Sequence, residues 1–254
     1  MVILALDSTS EAGGVGIFRD HACLSLELNA GPANRYSVTL FEMAERACAR
    51  ARLTLADIEL FAAANGPGSF TGIRVGLAAA RGWGKALGRR VRGVSVLAAL
   101  VHKHVAGMRE PPPGCLFPIL DARRGEFFTS CFRQAGLESA AGNPAGAPPG
   151  ALPVYLPADS GRVLKPAALR DFLVKQAEGY GNPWCLVRAQ DAAASSLRPG
   201  LPLSFGWGQV AGPLMDSIAA IARAEEEAGG APASSSLEAC YIRRPDAEIG
   251  SGAV

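Results

Sequence analysis

Gly66-Pro67-Gly68-Ser69-Phe70-Thr71-Gly72-Ile73-Arg74-Val75-Gly76-Leu77 is the stretch around which the first half of this chain is organised. The apolar run Leu60–Ala64 before it predicts a buried strand, and the pattern after it predicts a long helix, so its first glycines fall at a strand-to-helix turn. Free backbone N–H groups and the helix dipole would favour an anion there. The stretch lacks the lysine and the spacing of a Walker loop, and it is not G-x-G-x-x-G. Two readings stand: a nucleotide contact, or a tight turn that lets strand and helix pack closely.

Working outward, Val2–Leu6, Val15–Phe18 and Cys23–Leu28 read as three antiparallel strands, with Arg19-Asp20-His21 as a hairpin turn. After the loop Gly31-Pro32-Ala33-Asn34, Ser37 is placed to cap a helix. Its apolar residues Leu40, Ala44, Ala47, Cys48 and Ala51 follow one helical stripe. Thr54 and Asp57 form a capping-box-like start, and Val91–Val94 is a further strand. The resulting order, β-β-β-α-β-α-β, resembles the unit used twice in the actin, sugar kinase and Hsp70 ATPase (RNase H-like) superfamily. A second copy is expected where Leu116–Leu120 ends in Asp121, followed by the turn Ala122-Arg123-Arg124-Gly125 and the strand Glu126–Phe132. Pro111-Pro112-Pro113 cannot continue a helix or a central strand, which places a boundary between a subdomain at 1–107 and a smaller, degenerate one at 108–254. Ala140–Gly150 is a Gly/Pro/Ala-rich loop, Pro166–Ala177 and Val210–Ala228 read as helices, and Gly229–Ser236 is a flexible connection.

With 254 residues, 49% apolar and 19% charged, the chain can bury a large core. Its 25 Lys and Arg against 23 Asp and Glu generate no strong field toward a phosphate backbone, so the lone chain is expected to bind nucleic acid weakly. The pairs Arg89/Arg90, Arg123/Arg124 and Arg243/Arg244 receive no role from the charge pattern. The six cysteines form no C-x-x-C pair, and no leader or apolar run long enough for a membrane helix is visible, which points to a reduced, cytoplasmic protein without membrane insertion.

The GPGSFTG-I-R-V-G-L run, together with Ile3–Ser10, Asp121-Ala122-Arg123-Arg124-Gly125-Glu126 and Tyr241-Ile242-Arg243-Arg244-Pro245 in that order, resembles the TsaB (YeaZ) family along nearly the whole chain. The resemblance implies an actin-like fold and a role beside a paralogous catalytic subunit, TsaD, and an ATPase, TsaE. In that setting TsaD transfers a threonylcarbamoyl group to the adenosine at tRNA position 37, forming threonylcarbamoyladenosine (t6A). It also implies no cofactor of this chain's own, with ATP or ADP and metal residing in the partner subunits, contact with tRNA only through the complex, and a candidate homodimer. Tyr36 stands where relatives commonly have His, which moves the chain further from metal chemistry.

The residues agree with a silent subunit. Only His21, His102 and His104 occur, without H-E-x-x-H or other metal spacing. Ser69 and Thr71 lack a G-x-S-x-G elbow, and helix capping accounts for both hydroxyls. Asp7, Ser8, Thr9 and Asp121 are candidate nucleotide-proximal residues by likeness to kinase acids, or else turn carboxylates and hydroxyls left from an ancestral site. A free-standing ATP-using enzyme of the sugar kinase type and a peptidase are the alternative classes. Gly72, Gly76, Ala80, Gly84 and Gly88 recur every four residues and draw a strip of bare backbone along one helix side. With Leu40 and Ala44 of the first helix, and with Gly68, Phe70 and Thr71, this strip is the expected partner interface, internal packing being the other use of such glycines.

Overall fold

The computed structural model describes residues 1–31, 35–108, 113–135, 153–229, 238, 239 and 242. The expectations for Pro32–Asn34, Pro111-Pro112, Ala140–Gly150, most of Gly229–Ser236, Cys240 and most of Tyr241–Pro245 fall outside them. Met1–Ala99 and the segment from Gly212 form one compact unit, and Leu100–Ala211 forms a second.

In the first unit, β1 (Val2–Asp7), β2 (Gly14–Arg19) and β3 (Ala22–Leu28) run antiparallel, and β4 (Leu60–Gly66) and β5 (Arg90–Ser95) add in parallel, in the order β3-β2-β1-β4-β5. Helices α1 (Tyr36–Arg50) and α2 (Phe70–Leu87) cover one face, where Leu4, Leu6, Val15, Ile17, Phe61 and Ala63 meet Leu40, Met43, Ile73 and Leu77. The alternate residues Ile3, Ala5, Ala62 and Ala64 are also fully buried, as they must be if the sheet is covered on both faces. α1 starts one residue before Ser37, on Arg35 with no side-chain cap. What anchors its first turn is Tyr36, 1% exposed, whose hydroxyl donates to the Ser10 carbonyl at 3.0 Å. The Thr54/Asp57 capping box is formed as expected, ahead of a short 3-10 turn at Leu55–Asp57.

α3 (Val96–Gly107) carries the chain into the second unit. There β6 (Cys115–Asp121) and β7 (Phe127–Thr129) make a hairpin, and β8 (Phe132–Gln134) pairs with β6 and with β9 (Tyr155–Pro157). β10 (Arg162–Leu164), α4 (Pro166–Ala177), β11 (Trp184–Arg188), the single turn α5 (Ala192–Ser195) and β12 (Gly206–Val210) follow. The sheet order β10-β7-β6-β11-β12, antiparallel then parallel, repeats that of the first unit. The expected strand Glu126–Phe132 is two strands, because β7 pairs toward β10 while β8 turns to the other end of β6. Between them the Ser130 hydroxyl donates to Asp159 Oδ1 at 2.7 Å.

The division at residue 108 and the undivided second half are corrected. The helix expected over Val210–Ala228 is instead the end of β12, a break at Gly212-Pro213, and α6 (Met215–Glu227). α6 packs on β1, β2, β4 and β5, so the last described helix belongs to the first unit. Its buried side chains Met215, Ile218, Ala219 and Ala222 lie on one stripe, and the sheet face left by α1 and α2 takes them up.

Candidate functional site: the signature loop and the outer face of its helix

β4 delivers the chain to Gly66-Pro67, and Gly68 adopts φ +156° against Thr9. Ser69 then caps α2, its hydroxyl accepting from Gly72 N at 3.2 Å, while its own N–H donates to the Thr9 carbonyl at 2.8 Å. The Ser8 hydroxyl donates to the Gly72 carbonyl at 2.7 Å, and Asp7 Oδ1 accepts from Thr9 N at 2.9 Å and Thr9 Oγ1 at 2.6 Å. Asp7 and Ser8 are 0% exposed and Thr9 4%. The loop after β1 is thus sewn to the N-terminus of α2 by its own side chains. Placing Asp7, Ser8 and Thr9 beside a ligand does not fit this arrangement: they face packed protein, and the lone pairs of Asp7 Oδ1 serve the Thr9 turn. Of the two readings of the glycine loop, the geometry is that of the tight turn. Asp121, at the matching end of β6, remains a quarter exposed and accepts from Arg123 N at 2.7 Å.

Apart from Gly88, the exposed left-handed C-cap of α2, the glycine strip also faces inward. A Cβ on Gly72 would lie 1.9 Å from the Ser8 carbonyl oxygen, one on Gly76 2.3 Å from Ser8 Oγ, and one on Gly84 2.3 Å from Val91 Cγ2. Ala80 is 0% exposed, as are Leu40 and Ala44. These six are core positions, because the helix must approach its own sheet as closely as backbone allows. Of the expected interface residues, Thr71 lies open inside the helix and caps nothing, Phe70 is half-buried with the Arg74 guanidinium 3.8 Å over its ring, and Gly68 is partly exposed.

What does face outward is a second strip on α2. Ala78, Gly82 and Ala86 recur at the same four-residue spacing, all exposed, and a Cβ on Gly82 would meet nothing within 4 Å. Alongside, α1 exposes Val38 (69%) and Phe41 (54%), and the Phe41 ring stands edge-on to Trp83 at 5.3 Å. Sequence reasoning missed this face although it left a signal: Val38 and Phe41 are apolar residues off the buried stripe of α1.

In the second unit a cavity of about 430 Å³ is lined by Lys103, His104, Trp184 and Gln209. His104 lies 5.4 Å from the Trp184 ring, and its Nε2 finds no hydrogen-bond partner among the described residues. Burial holds the His104 pKa below the ordinary imidazole value. The unfolded chain therefore takes up this proton first as pH falls through the mid-sixes, so stability present above that range is lost below it. The urea midpoint is expected to drop between pH 7 and pH 5, and to drop less in His104→Gln; equal drops in the two proteins would exclude His104 as the cause. Cys115, Cys131 and Cys185 are fully buried, and burial pushes the thiols of Cys115 and Cys185 up to about 12, so they are not nucleophiles at neutral pH. Among the described residues no three His, Cys, Asp or Glu side chains gather as a metal site. No described helix is long and apolar enough to cross a membrane.

Two sheets of one topology, each with an acidic residue ending its first strand, make this a protein of the actin-like, sugar kinase type. The solved structure of YeaZ from Pseudomonas aeruginosa superposes with a TM-score of 0.67 over 94% of this chain and 99% of that one, at 20% identity, which speaks for the fold. The family model for TsaD, tRNA N6-adenosine threonylcarbamoyltransferase, matches residues 32–154. An uncharacterised protein of Mycobacterium tuberculosis is 35% identical over 127 residues, covering 50% of this chain and 56% of that protein. The tRNA threonylcarbamoyladenosine biosynthesis protein TsaB of Bacillus subtilis is 27% identical over 135 residues (52% and 56%), and that of Escherichia coli 28% over 128 residues (50% and 53%). The chain spans about half the length of the curated relatives it matches. These matches agree with the resemblance to the TsaB (YeaZ) family.

Proposed function

We propose that this chain is an accessory subunit in t6A formation at tRNA position 37. It docks on a TsaD-type catalytic paralog through the outer face of α1 and α2 and carries out no chemical step itself. The observation that carries this reading is the pairing of an exposed small-residue strip, Ala78-Gly82-Ala86, with exposed Val38 and Phe41. Bare backbone beside an aromatic anchor is what a partner helix needs for close approach, and aromatic residues dominate interface energetics. The similarity to TsaB proteins and to the TsaD family model supports a TsaD-type paralog as that partner. Under the same reading ATP and metal belong to the catalytic paralog and a TsaE-type ATPase, tRNA is met only in the assembly, the location is cytoplasmic, and a homodimer would use the same face. Internal use of Asp7 and burial of the Ser8 and Thr9 side chains support a subunit without its own nucleotide chemistry.

Co-purification with the catalytic paralog tests this. Phe41→Asp and Gly82→Leu should each weaken association at least tenfold, about 1.4 kcal/mol or more, while leaving melting of the lone chain within a few degrees. Cells lacking the protein should lose t6A from their tRNA, and the variants should fail to restore it. Unchanged t6A in those cells would sink the reading, as would ready ATP hydrolysis or proteolysis by the purified chain.

A further inference from the structure

β6 ends on Asp121, and residues 122–126 close the hairpin to Phe127. Three consecutive residues of this turn have positive φ: Arg123 at 66°, Arg124 at 56° and Gly125 at 71°. Gly125 is at home there. The two arginines are not, because a left-handed L-residue crowds its Cβ against the following carbonyl, and Asn or Gly would avoid most of that cost. Such outliers persist only where the surroundings over-determine them, and they concentrate at working sites.

The surroundings do over-determine this turn. Arg123 N donates to Asp121 Oδ1 at 2.7 Å, Ala122 N to the Glu126 carbonyl at 2.9 Å, and Glu126 N to the Arg123 carbonyl at 3.1 Å. Asp121 N in turn donates to Asp191 Oδ2 at 2.9 Å, and Asp191 Oδ1 accepts from Ala194 N at 2.8 Å. Two carboxylates thus hold the backbone, leaving both arginine side chains at the surface. The Arg123 side chain is 84% exposed with its guanidinium 4.0 Å from Asp121, the outer limit of an ion pair, and Arg124 is exposed as well. A guanidinium fork on a fixed backbone loses little freedom when it meets a phosphate.

We propose that the Arg123–Arg124 turn is a phosphate-binding element that grips an RNA backbone. This rests on the t6A reading above, which supplies tRNA as the RNA. An open turn offers an anion one side only, which suits neighbouring phosphates on a strand better than a small free anion that must be enclosed. The net charge of +2 leaves the chain without a long-range field, so the effect is local and shows chiefly when a partner has already brought the tRNA near.

The double variant Arg123→Asn/Arg124→Gly removes both charges while supplying the residues this backbone prefers. The lone chain should melt at the same temperature or a few degrees higher. In the complex with the catalytic paralog, tRNA affinity at ~150 mM salt should fall about tenfold, and the slope of log affinity against log salt should shrink by about 1 to 2. Arg123→Lys/Arg124→Lys should keep most of the slope. Unchanged affinity and slope in the Asn/Gly variant overturn the proposal, and so does weaker binding accompanied by a lower melting temperature, which would make the arginines structural. The same comparison on the lone chain at low salt keeps the test separate from the subunit reading, which fails instead if no complex forms.

Discussion

Gly76→Val is expected to leave no folded protein. The position lies under the loop after β1, where a bare Cβ would already stand 2.3 Å from Ser8 Oγ and 2.8 Å from Leu6 Cδ1. Leu6 and Ser8 are both 0% exposed, and the Ser8 hydroxyl is committed to the Gly72 carbonyl, so neither neighbour can move aside cheaply. Overpacking by one methylene costs about 1–3 kcal/mol, and Val adds three carbons at a backbone contact. The loss should exceed ~4–5 kcal/mol, comparable with the whole stability of many domains. Gly72→Val, with its 1.9 Å approach to the Ser8 carbonyl, should behave the same way. Soluble yield and a urea unfolding curve decide the matter. A cooperative transition within about 1 kcal/mol of the parent would show that the helix can lift off its sheet. Ala80→Leu and Gly76→Val are therefore unsuitable probes of partner binding, and Gly82→Leu is the substitution that reaches the surface.

Glu226→Ala is expected to cost about 3–5 kcal/mol, the penalty for removing one partner of a buried ion pair. Glu226, on α6, accepts from Arg92 Nε on β5 at 2.8 Å and also pairs with Arg90. The Glu226 and Arg92 side chains are 5% and 6% exposed. Without Glu226, Arg92 keeps its burial and loses this carboxylate, which is the source of the penalty. α6 reaches the first sheet only after the chain has traversed the second unit, and this pair ties its end to β5. Arg92→Met/Glu226→Leu, which removes both charges and keeps the volume, should recover most of the loss. Midpoints in urea across the single and double variants form the cycle that checks this. A Glu226→Ala cost below about 1 kcal/mol would mean that the pair behaves as a surface contact.

Much of the first unit was legible because its information is local. The apolar runs Val2–Leu6 and Val15–Phe18, the cap on Ser69 and the Thr54/Asp57 box each depend on residues close along the chain, and the structure bears them out. The start of the repeat was also visible, through acidic residues ending matching strands at Asp7 and Asp121. The short strands β9 to β12 and the single turn α5 passed unnoticed. Three to five residues of strand make a weak period, and what holds them in the sheet is pairing with distant segments.

By itself the sequence determined that α2 would be a capped helix carrying small residues every fourth position. It did not determine which way that helix would turn. Two strips of the same spacing, Gly72-Gly76-Ala80-Gly84 and Ala78-Gly82-Ala86, lie on different sides, and period alone cannot rank them. Tertiary structure did, by the volumes set opposite: the Ser8 carbonyl, Leu6 and Val91 leave room only for hydrogen atoms, so the first strip went to the core and the second was left to solvent. The place of α6 was decided in the same way. Its stripe of Met215, Ile218, Ala219 and Ala222 needed an apolar surface, and the free face of β1 and β4 supplied one across more than 150 residues of chain, a distance on which local propensity has no purchase.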